Sequence, residues 1–189
     1  AELMQLFATA LQDLGRYLLD RFEGSFVRLV EAAHGSAEEL VRLLAAMPFY
    51  DDREAYDGLR VPFYKRAQLT AADLALAFNG EGWGRFHDLD RLTIFADNLV
   101  PHVLRCDGIL AYEESLAARI DRGELIPAGS PPEVEIRASA VHAVELLVAA
   151  LRGSGHDVSA RGLDYLLWNR GQKPEYKARP RHRTRTVYY

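Results

Sequence analysis

The sequence predicts a globular protein built mainly from α-helices, and two features of the chain support this. Apolar residues recur at spacings of three and four, beginning with Leu3, Leu6, Phe7 and Ala10, which is the periodicity of an amphipathic helix. Glycines and capping residues stand between the apolar stretches, where helices end and begin. The 189 residues are 49% hydrophobic, which is enough to form one packed domain over residues 1–189 and leaves room for a second, small one.

The first half of the chain contains four predicted helices, at residues 1–22, 26–33, 37–46 and 63–78. Gly24 breaks the pattern after the first helix. Ser36 and Glu39 have the spacing of a capping box at the start of the third. Residues 48–62 form a polar, aromatic connection. Residues 79–84 are a glycine-rich loop that lacks the spacing of a phosphate-binding motif.

The second half contains four more predicted helices, at residues 101–104, 112–122, 132–151 and 159–169. Residues 131–137 alternate between polar and apolar types, as a strand would. The apolar sequence of residues 138–151 nevertheless favours one long helix, with Pro132 in its first turn.

Charged residues are unevenly distributed. The formal net charge is −4, but six of the 23 Lys and Arg residues lie in residues 173–189, against one acid, Glu175. Such a basic tail can bind nucleic acid or stay solvated, but its two final tyrosines favour docking on its own domain. The alternation of residues 183–186 would then place Arg183 and Arg185 on one side of an extended segment.

Composition also limits the classes of protein that the chain can represent. Cys106 is the only cysteine, so an internal disulfide and a cysteine-based zinc site are excluded, and a reducing cytoplasm is the expected compartment. No stretch approaches the roughly 20 apolar residues of a membrane span. The chain begins inside a helical pattern without a capping residue, so we expect these residues to continue a longer protein.

Asp97 is the residue that most requires an explanation, because it interrupts the apolar segment 93–100. A carboxylate in such surroundings must be hydrogen-bonded, paired with a cation or held for chemistry. One interpretation is that Asp97 caps a helix that begins near Pro101. The other is that it is a reactive group.

Three further sets of residues could carry chemistry. His-Asp pairs at residues 87–88 and 156–157 resemble the ligands of metal-dependent phosphohydrolases. Such dipeptides are common and both lie in predicted loops, so we expect no metal site. In segment 63–68, Lys65 and Arg66 stand side by side, either as an anion clamp or as a solvated helix start. A Gly-x-Ser-x-Gly motif of a serine hydrolase is missing from the sequence.

Five short segments form an ordered set along the chain. They are residues 61–68 (VPFYKRAQ), 94–97 (IFAD), 133–138 (EVEIRA), 163–168 (LDYLLW) and 182–189 (HRTRTVYY). In this order they resemble motifs of the queuosine salvage protein family, whose members are longer, so the chain resembles their C-terminal part. The family usually has Tyr, Arg and Gln where this chain has Asn98, Leu99 and His102.

The resemblance implies an all-α fold similar to the helix-hairpin-helix DNA glycosylases. It also implies an N-glycosylase that hydrolyses queuosine 5′-phosphate to queuine and ribose 5-phosphate. We expect no metal or cofactor to take part, because the sequence offers neither a set of thiolates nor a convincing spacing of His and Asp residues. A fixed carboxylate can stabilise the positive charge that develops at the anomeric carbon, attack that carbon or activate water. We therefore expect Asp97 to be the catalytic residue, with its role among these three left open.

The expected substrate contacts lie in the same motifs. They are Tyr64, Lys65, Gln68, His102, Glu135, Arg137, Asp164, His182 and Arg185. Lys65, His182, Arg183 and Arg185 are the expected donors to a 5′-phosphate. The expected partners are the small-molecule substrate and product, with neither a membrane nor a stable nucleic-acid partner. The alternative function is a tRNA- or nucleic-acid-binding module that uses the basic tail.

Overall fold

The structure of the protein is a computed structural model that describes residues 2–189 and is mainly helical. Its helices are α1 (Glu2–Phe22), α2 (Phe26–Glu31), α3 (Ala37–Leu44), α4 (Lys65–Ala77), α5 (Val100–Cys106), α6 (Glu114–Asp121), α7 (Pro131–Gly153), α8 (Ala160–Arg170) and α9 (Pro174–Lys177). Short 3-10 turns occur at Gly82–Gly84 and Leu89–Arg91. The predicted helical class is confirmed. No helix within residues 2–189 combines the length and apolar character needed to cross a bilayer.

One element that the sequence analysis missed is a hairpin inside the connection predicted at residues 48–62. Strands β1 (Arg53–Tyr56) and β2 (Leu59–Pro62) pair in antiparallel register. Asp57 and Gly58 form the turn between them, with φ angles of 47° and 76°. Asp-Gly is a strong signal for such a turn, because both positions require positive φ. The fold therefore contains a small sheet in addition to its helices.

The start of α3 is capped twice. The backbone N–H of Glu39 donates to the Ser36 hydroxyl at 3.1 Å, which confirms the predicted cap. Asp88 accepts hydrogen bonds from that hydroxyl at 2.7 Å and from the backbone N–H of Ala37 at 2.6 Å. Burial acts to raise the pKa of Asp88, but these hydrogen bonds hold it below its ordinary value. Asp88, the carboxylate of the first His-Asp pair, therefore accepts hydrogen bonds at the start of α3.

The long helix predicted across residues 132–151 is confirmed as α7, with prolines at its first two positions. The apparent strand alternation at its start arises because Val134 and Ile136 are both buried. Glu133 and Arg137 are also buried, so this end of the helix is surrounded by protein on several sides. A helix of this kind loses the simple amphipathic pattern.

Contacts group the described residues into two compact units. The first comprises residues 2–52, 66–92 and Tyr188, and within it α1 contacts α2 and α2 contacts α3. The second comprises Arg53–Lys65, Thr93–Val187 and Tyr189, and within it α5, α7 and α8 contact one another. The apolar core of this second unit contains Phe63, Ile94, Ala96, Val100, Leu104, Val134, Ala140, Val144, Val148, Ala160 and Leu163.

A glycine allows the end of α8 to approach the start of α5. A Cβ atom at Gly171 would lie 2.8 Å from Cδ1 of Leu99 and 2.9 Å from Cγ2 of Val103. These distances are too short for carbon atoms, so a larger residue would force the side chains of Leu99 and Val103 to shift. Gly171 thereby keeps the chain that leads into α9 beside the segment containing Asp97.

Candidate active site

Asp97 lies just before α5 and is only 9% exposed. Its Oδ1 accepts hydrogen bonds from the backbone N–H of Leu99 at 2.7 Å and of Val100 at 3.2 Å. Asp97 therefore supports the start of α5, as the capping interpretation expects, but it is not the N-cap residue, because α5 begins at Val100 and its N-cap position is Leu99. Within the described residues both hydrogen bonds to this carboxylate end on Oδ1. The backbone hydrogen bonds thus occupy Oδ1 and leave Oδ2 available for chemistry.

Asp97 also lines a cavity of about 1080 Å³ in the second unit. The other walls come from the last turn of α8, from α9 and from residues 179–185. The lining includes five cationic side chains, which are Lys177, Arg179, Arg181, Arg183 and Arg185. In the described lining, Asp97 is the single acidic residue. A cavity with this excess of positive charge favours an anionic ligand.

The basic tail forms part of this cavity because it is docked, as the sequence predicted. The backbone N–H of Ile126 donates to the carbonyl of Arg183 at 2.8 Å, and Leu125 and Arg183 form a parallel bridge. Arg183 and Arg185 are exposed and line the cavity, whereas His182 between Arg181 and Arg183 is 1% exposed. The predicted alternation of an extended segment is thus confirmed.

Asp164 of α8 is a second buried carboxyl group close to Asp97. It is 6% exposed, and its Oδ1 accepts the backbone N–H of Phe95 at 2.9 Å. Burial and the negative charge of Asp97 raise the pKa of Asp164 to about 6, against the opposing effects of the Phe95 N–H and the Lys65 ammonium. Asp97, Asp164 and Lys65 therefore form one electrostatically coupled group.

Tyr64 precedes Lys65 at the junction between β2 and α4. Its φ of 48° lies in the left-handed region, which a bulky aromatic residue rarely adopts. Residues held in such conformations are often found at functional sites. Lys65 is the first residue of α4, so the segment is a helix start that also contributes a cation to the group around Asp97.

Two buried histidines differ in their relation to the cavity. His102 lines it, and Nε2 lies 2.8 Å from the carbonyl of Tyr176, which makes that nitrogen the protonated one. Burial lowers the pKa of His102. His182 stacks edge-on against Tyr189 outside the lining, and burial with the nearby Arg137 lowers its pKa to about 4. At neutral pH both rings are uncharged, so His182 is not placed as a cationic phosphate donor.

Besides Tyr64, Lys65, Asp164 and His182, three more of the expected contacts lie outside the cavity lining. Arg137 is fully buried in the core of the second unit. Glu135 is exposed and accepts a 2.5 Å hydrogen bond from the Tyr56 hydroxyl. Gln68 is buried on α4, in the first unit. None of the three appears among the described residues around the cavity, so the structure does not bring all the expected contacts together.

Three residues that line the cavity were not predicted from the sequence. Trp168 is 46% exposed there, and Lys177 and Arg179 contribute charge from α9 and the following segment. The motif LDYLLW resembles a buried helical face in sequence. Only its position on the last turn of α8 shows that the indole reaches the cavity. Lys177 and Arg179 could have been found from the high density of cations after residue 172.

The fold and the site together define a helical protein with a cation-lined cavity beside a buried carboxylate. The chain belongs to the queuosine salvage protein family, whose model matches residues 2–189. It is 46% identical over 183 residues to the queuosine 5′-phosphate N-glycosylase/hydrolase of Sphaerobacter thermophilus, covering 96% of this chain and 57% of that protein. A protein of the same name from Mus musculus is 36% identical over 189 residues, and the match covers 95% of this chain and 56% of that protein. The chain thus spans little more than half the length of these relatives.

Proposed function

We propose that this chain carries the reacting centre of an enzyme that hydrolyses the N-glycosidic bond of queuosine 5′-phosphate, releasing queuine and ribose 5-phosphate. The observation that carries the proposal is a buried carboxylate, Asp97, on the wall of a cavity lined by five cations. The substrate comes from the relatives, which are named queuosine 5′-phosphate N-glycosylase/hydrolase.

The chemistry requires a fixed negative charge beside the sugar. The bond between the anomeric carbon and the base nitrogen breaks, and its electron pair leaves with the base. The oxygen of water bonds to the anomeric carbon, and the proton that water loses ends on the base nitrogen. Positive charge develops on the sugar in the transition state, and a preorganised carboxylate stabilises that charge. Asp97 suits this role because two backbone N–H groups hold its Oδ1 in place.

The nature of the leaving base makes the stabilising charge of Asp97 more important for the rate. Queuine is a 7-deazaguanine, so it has carbon where guanine has a nitrogen that could be protonated to assist departure. Electrostatic stabilisation of the sugar must therefore supply more of the rate acceleration. Asp164 is a second carboxyl group coupled to Asp97, and its pKa of about 6 lets it hold a proton at mildly acidic pH. We propose that Asp164 contacts the substrate.

The cations of the cavity are suited to bind the 5′-phosphate of the substrate. Arg183 and Arg185 point to the same side of an extended segment and line the cavity with Asp97. Guanidinium groups bind phosphate through paired, charge-assisted hydrogen bonds. We propose that these two arginines hold the 5′-phosphate and that Trp168, on the same cavity, stacks on the base.

We also propose a relationship of this helical fold to helix-hairpin-helix DNA glycosylases, which break the same type of bond. The proposed location is the cytoplasm, because these 189 residues contain one cysteine. The second candidate function is a tRNA- or nucleic-acid-binding module. The exposure of Arg181, Arg183 and Arg185 favours it, because exposed cations along an extended segment suit a phosphate backbone.

The test is chromatography of the natural full-length protein after incubation with queuosine 5′-phosphate or with queuosine. We expect free queuine from the nucleotide, unchanged by a chelator, and a loss of about a hundredfold or more in the Asp97→Asn variant. The matched control is Asp157→Asn, which removes an exposed carboxylate from the His-Asp pair at residues 156–157. It should keep the parent rate.

Two results would contradict the proposal. A folded Asp97→Asn protein with the parent kcat would remove the catalytic assignment and leave Asp97 as a helix cap alone. Steeply salt-dependent binding of RNA or DNA without any release of base would favour the nucleic-acid-binding module.

A further inference from the structure

Arg137 has an unusual environment for a charged residue. Its side chain is fully buried, and its guanidinium lies between two aromatic rings, 3.9 Å from the centroid of Phe63 and 4.8 Å from that of Tyr189. Both rings present a π face to the cation, which is an electrostatically favourable arrangement. Packing alone does not require this residue, because an apolar side chain of similar volume would avoid the desolvation of a buried charge.

The polar contacts of Arg137 connect it to the residue before Asp97. Its Nε donates to the backbone carbonyl of Ala96 at 3.0 Å. Its Nη1 lies 3.4 Å from Oε1 of Glu133, which also accepts a 2.7 Å hydrogen bond from the hydroxyl of Tyr189. Tyr189 therefore contacts the guanidinium with its ring and the partner carboxylate with its hydroxyl.

The carbonyl of Ala96 belongs to the peptide group that contains the backbone nitrogen of Asp97. Fixing this carbonyl fixes the plane of that peptide, including the Cα atom of Asp97, and so restricts the directions in which the Asp97 side chain can leave the backbone. On the far side, the N–H groups of Leu99 and Val100 fix Oδ1. The carboxylate is thus oriented from both ends.

We propose that Arg137 and Tyr189 are positioning residues, which hold the Ala96–Asp97 peptide so that the Asp97 carboxylate faces the cavity. The proposal rests on the proposed function only in taking Asp97 as the reacting group. Tyr189 then has a role in turnover that is distinct from phosphate binding. Misplacement of a reacting group by about 1 Å can cost on the order of a hundredfold in rate.

Two variants of Tyr189 separate its ring from its hydroxyl. Tyr189→Phe keeps a π face over Arg137 and removes the hydroxyl, with its hydrogen bond to Glu133 and its interaction with Thr184. Tyr189→Leu keeps apolar volume and removes the π face as well. In the natural full-length protein we expect Tyr189→Leu to lower kcat about tenfold or more, with KM for the nucleotide unchanged within about twofold. Tyr189→Phe should retain most of the parent kcat.

Amide hydrogen exchange provides a readout that does not depend on turnover. In Tyr189→Leu, the backbone amides of Asp97, Leu99 and Val100 should exchange about tenfold faster than in the parent, because this segment opens more readily. Exchange should change little at the far end of α7.

The matched control is Val148→Ala, which removes core volume about three turns further along α7 than Arg137. It should lower Tm without slowing turnover. Parent exchange rates at residues 97–100 in Tyr189→Leu would overturn the positioning role. So would a loss of kcat in Val148→Ala as large as that in Tyr189→Leu. If the parent releases no base, the proposed function fails, while the exchange measurement still decides whether Tyr189 orders the segment.

Discussion

Asp164 receives a 2.9 Å hydrogen bond from the backbone N–H of Phe95, two residues before Asp97. Burial and the negative charge of Asp97 raise the pKa of Asp164 to about 6. The segment that carries Asp97 is therefore held by a side chain whose protonation changes just below neutral pH. This arrangement makes the stability of the protein dependent on pH in a predictable direction.

Replacing Asp164 by asparagine should change how stability varies with pH. The folded pKa of Asp164, about 6, lies above its ordinary value of 3.8, so the folded state binds more protons between these values. Its contribution to stability is present below about pH 3.8 and is lost as pH rises through 6. Asp164→Asn removes this loss while an amide oxygen still accepts the Phe95 N–H. Tm measured from pH 4 to 7 should rise more steeply with pH in the variant than in the parent. Parallel curves would contradict the raised pKa.

His182 should have the opposite effect in nearly the same range. Its folded pKa of about 4 lies below its ordinary value of 6.5, so the unfolded state binds more protons between these values. The stability that His182 contributes is present above pH 6.5 and is lost as pH falls toward 4. His182→Leu should reduce the acid sensitivity of Tm in this window and leave the value at pH 8 closer to that of the parent. An unchanged acid profile would show that the ring is accessible to protons in the folded state.

Two substitutions of Asp97 should separate its capping from its chemistry. Asp97→Asn keeps an oxygen that can accept from Leu99 and Val100, so we expect it to retain stability. Asp97→Ala leaves those N–H groups without their acceptor and should cost about 1 kcal/mol of unfolding free energy. Chemical denaturation of both variants measures this difference. Equal stability of the two would mean that the hydrogen bonds to Oδ1 contribute nothing to the fold.

Arg183 should matter for a phosphorylated substrate and not for an unphosphorylated one. Arg183→Gln removes a cation from the cavity lining and should raise KM for the nucleotide about tenfold, the effect expected for the loss of one charge-assisted hydrogen bond. KM for the nucleoside should stay the same. Lys173→Gln is the matched control, because Lys173 is an exposed cation outside the lining. The same rise in KM for both variants would indicate a general effect of charge.

Deleting residues 182–189 should lower stability and substrate affinity together. The deletion removes the Tyr189 hydroxyl that donates to Glu133 and the aromatic ring over Arg137, and it exposes a buried ion pair that depends on these contacts. It also removes Arg183 and Arg185 from the cavity. Tm and kcat/KM for the nucleotide should both fall. A truncated protein that matched its parent in both measurements would show that the docked tail is dispensable.

Much of the fold could be read from the sequence because helix signals are local. Ser36 and Ser159 precede helices that they cap through hydrogen bonds to Glu39 and Gly162, and the prolines at the start of α7 mark its first turn. The hairpin was missed because its strands have four residues each and alternate only weakly in burial. The Asp57-Gly58 turn was the one strong signal for it.

Asp97 could be singled out from the sequence because an isolated acid in an apolar segment requires a physical explanation wherever it lies. The alternation that places Arg183 and Arg185 on one side is likewise a property of extended backbone. The sequence could not decide which motif residues reach the cavity, since that depends on how distant segments pack. Arg137 and Trp168 belong to equally recognisable motifs, yet the first is enclosed by Phe63 and Tyr189 and the second lines the cavity. Tertiary packing decides this because it sets the burial and the charged neighbours of each group, which in turn determine what chemistry the group can perform.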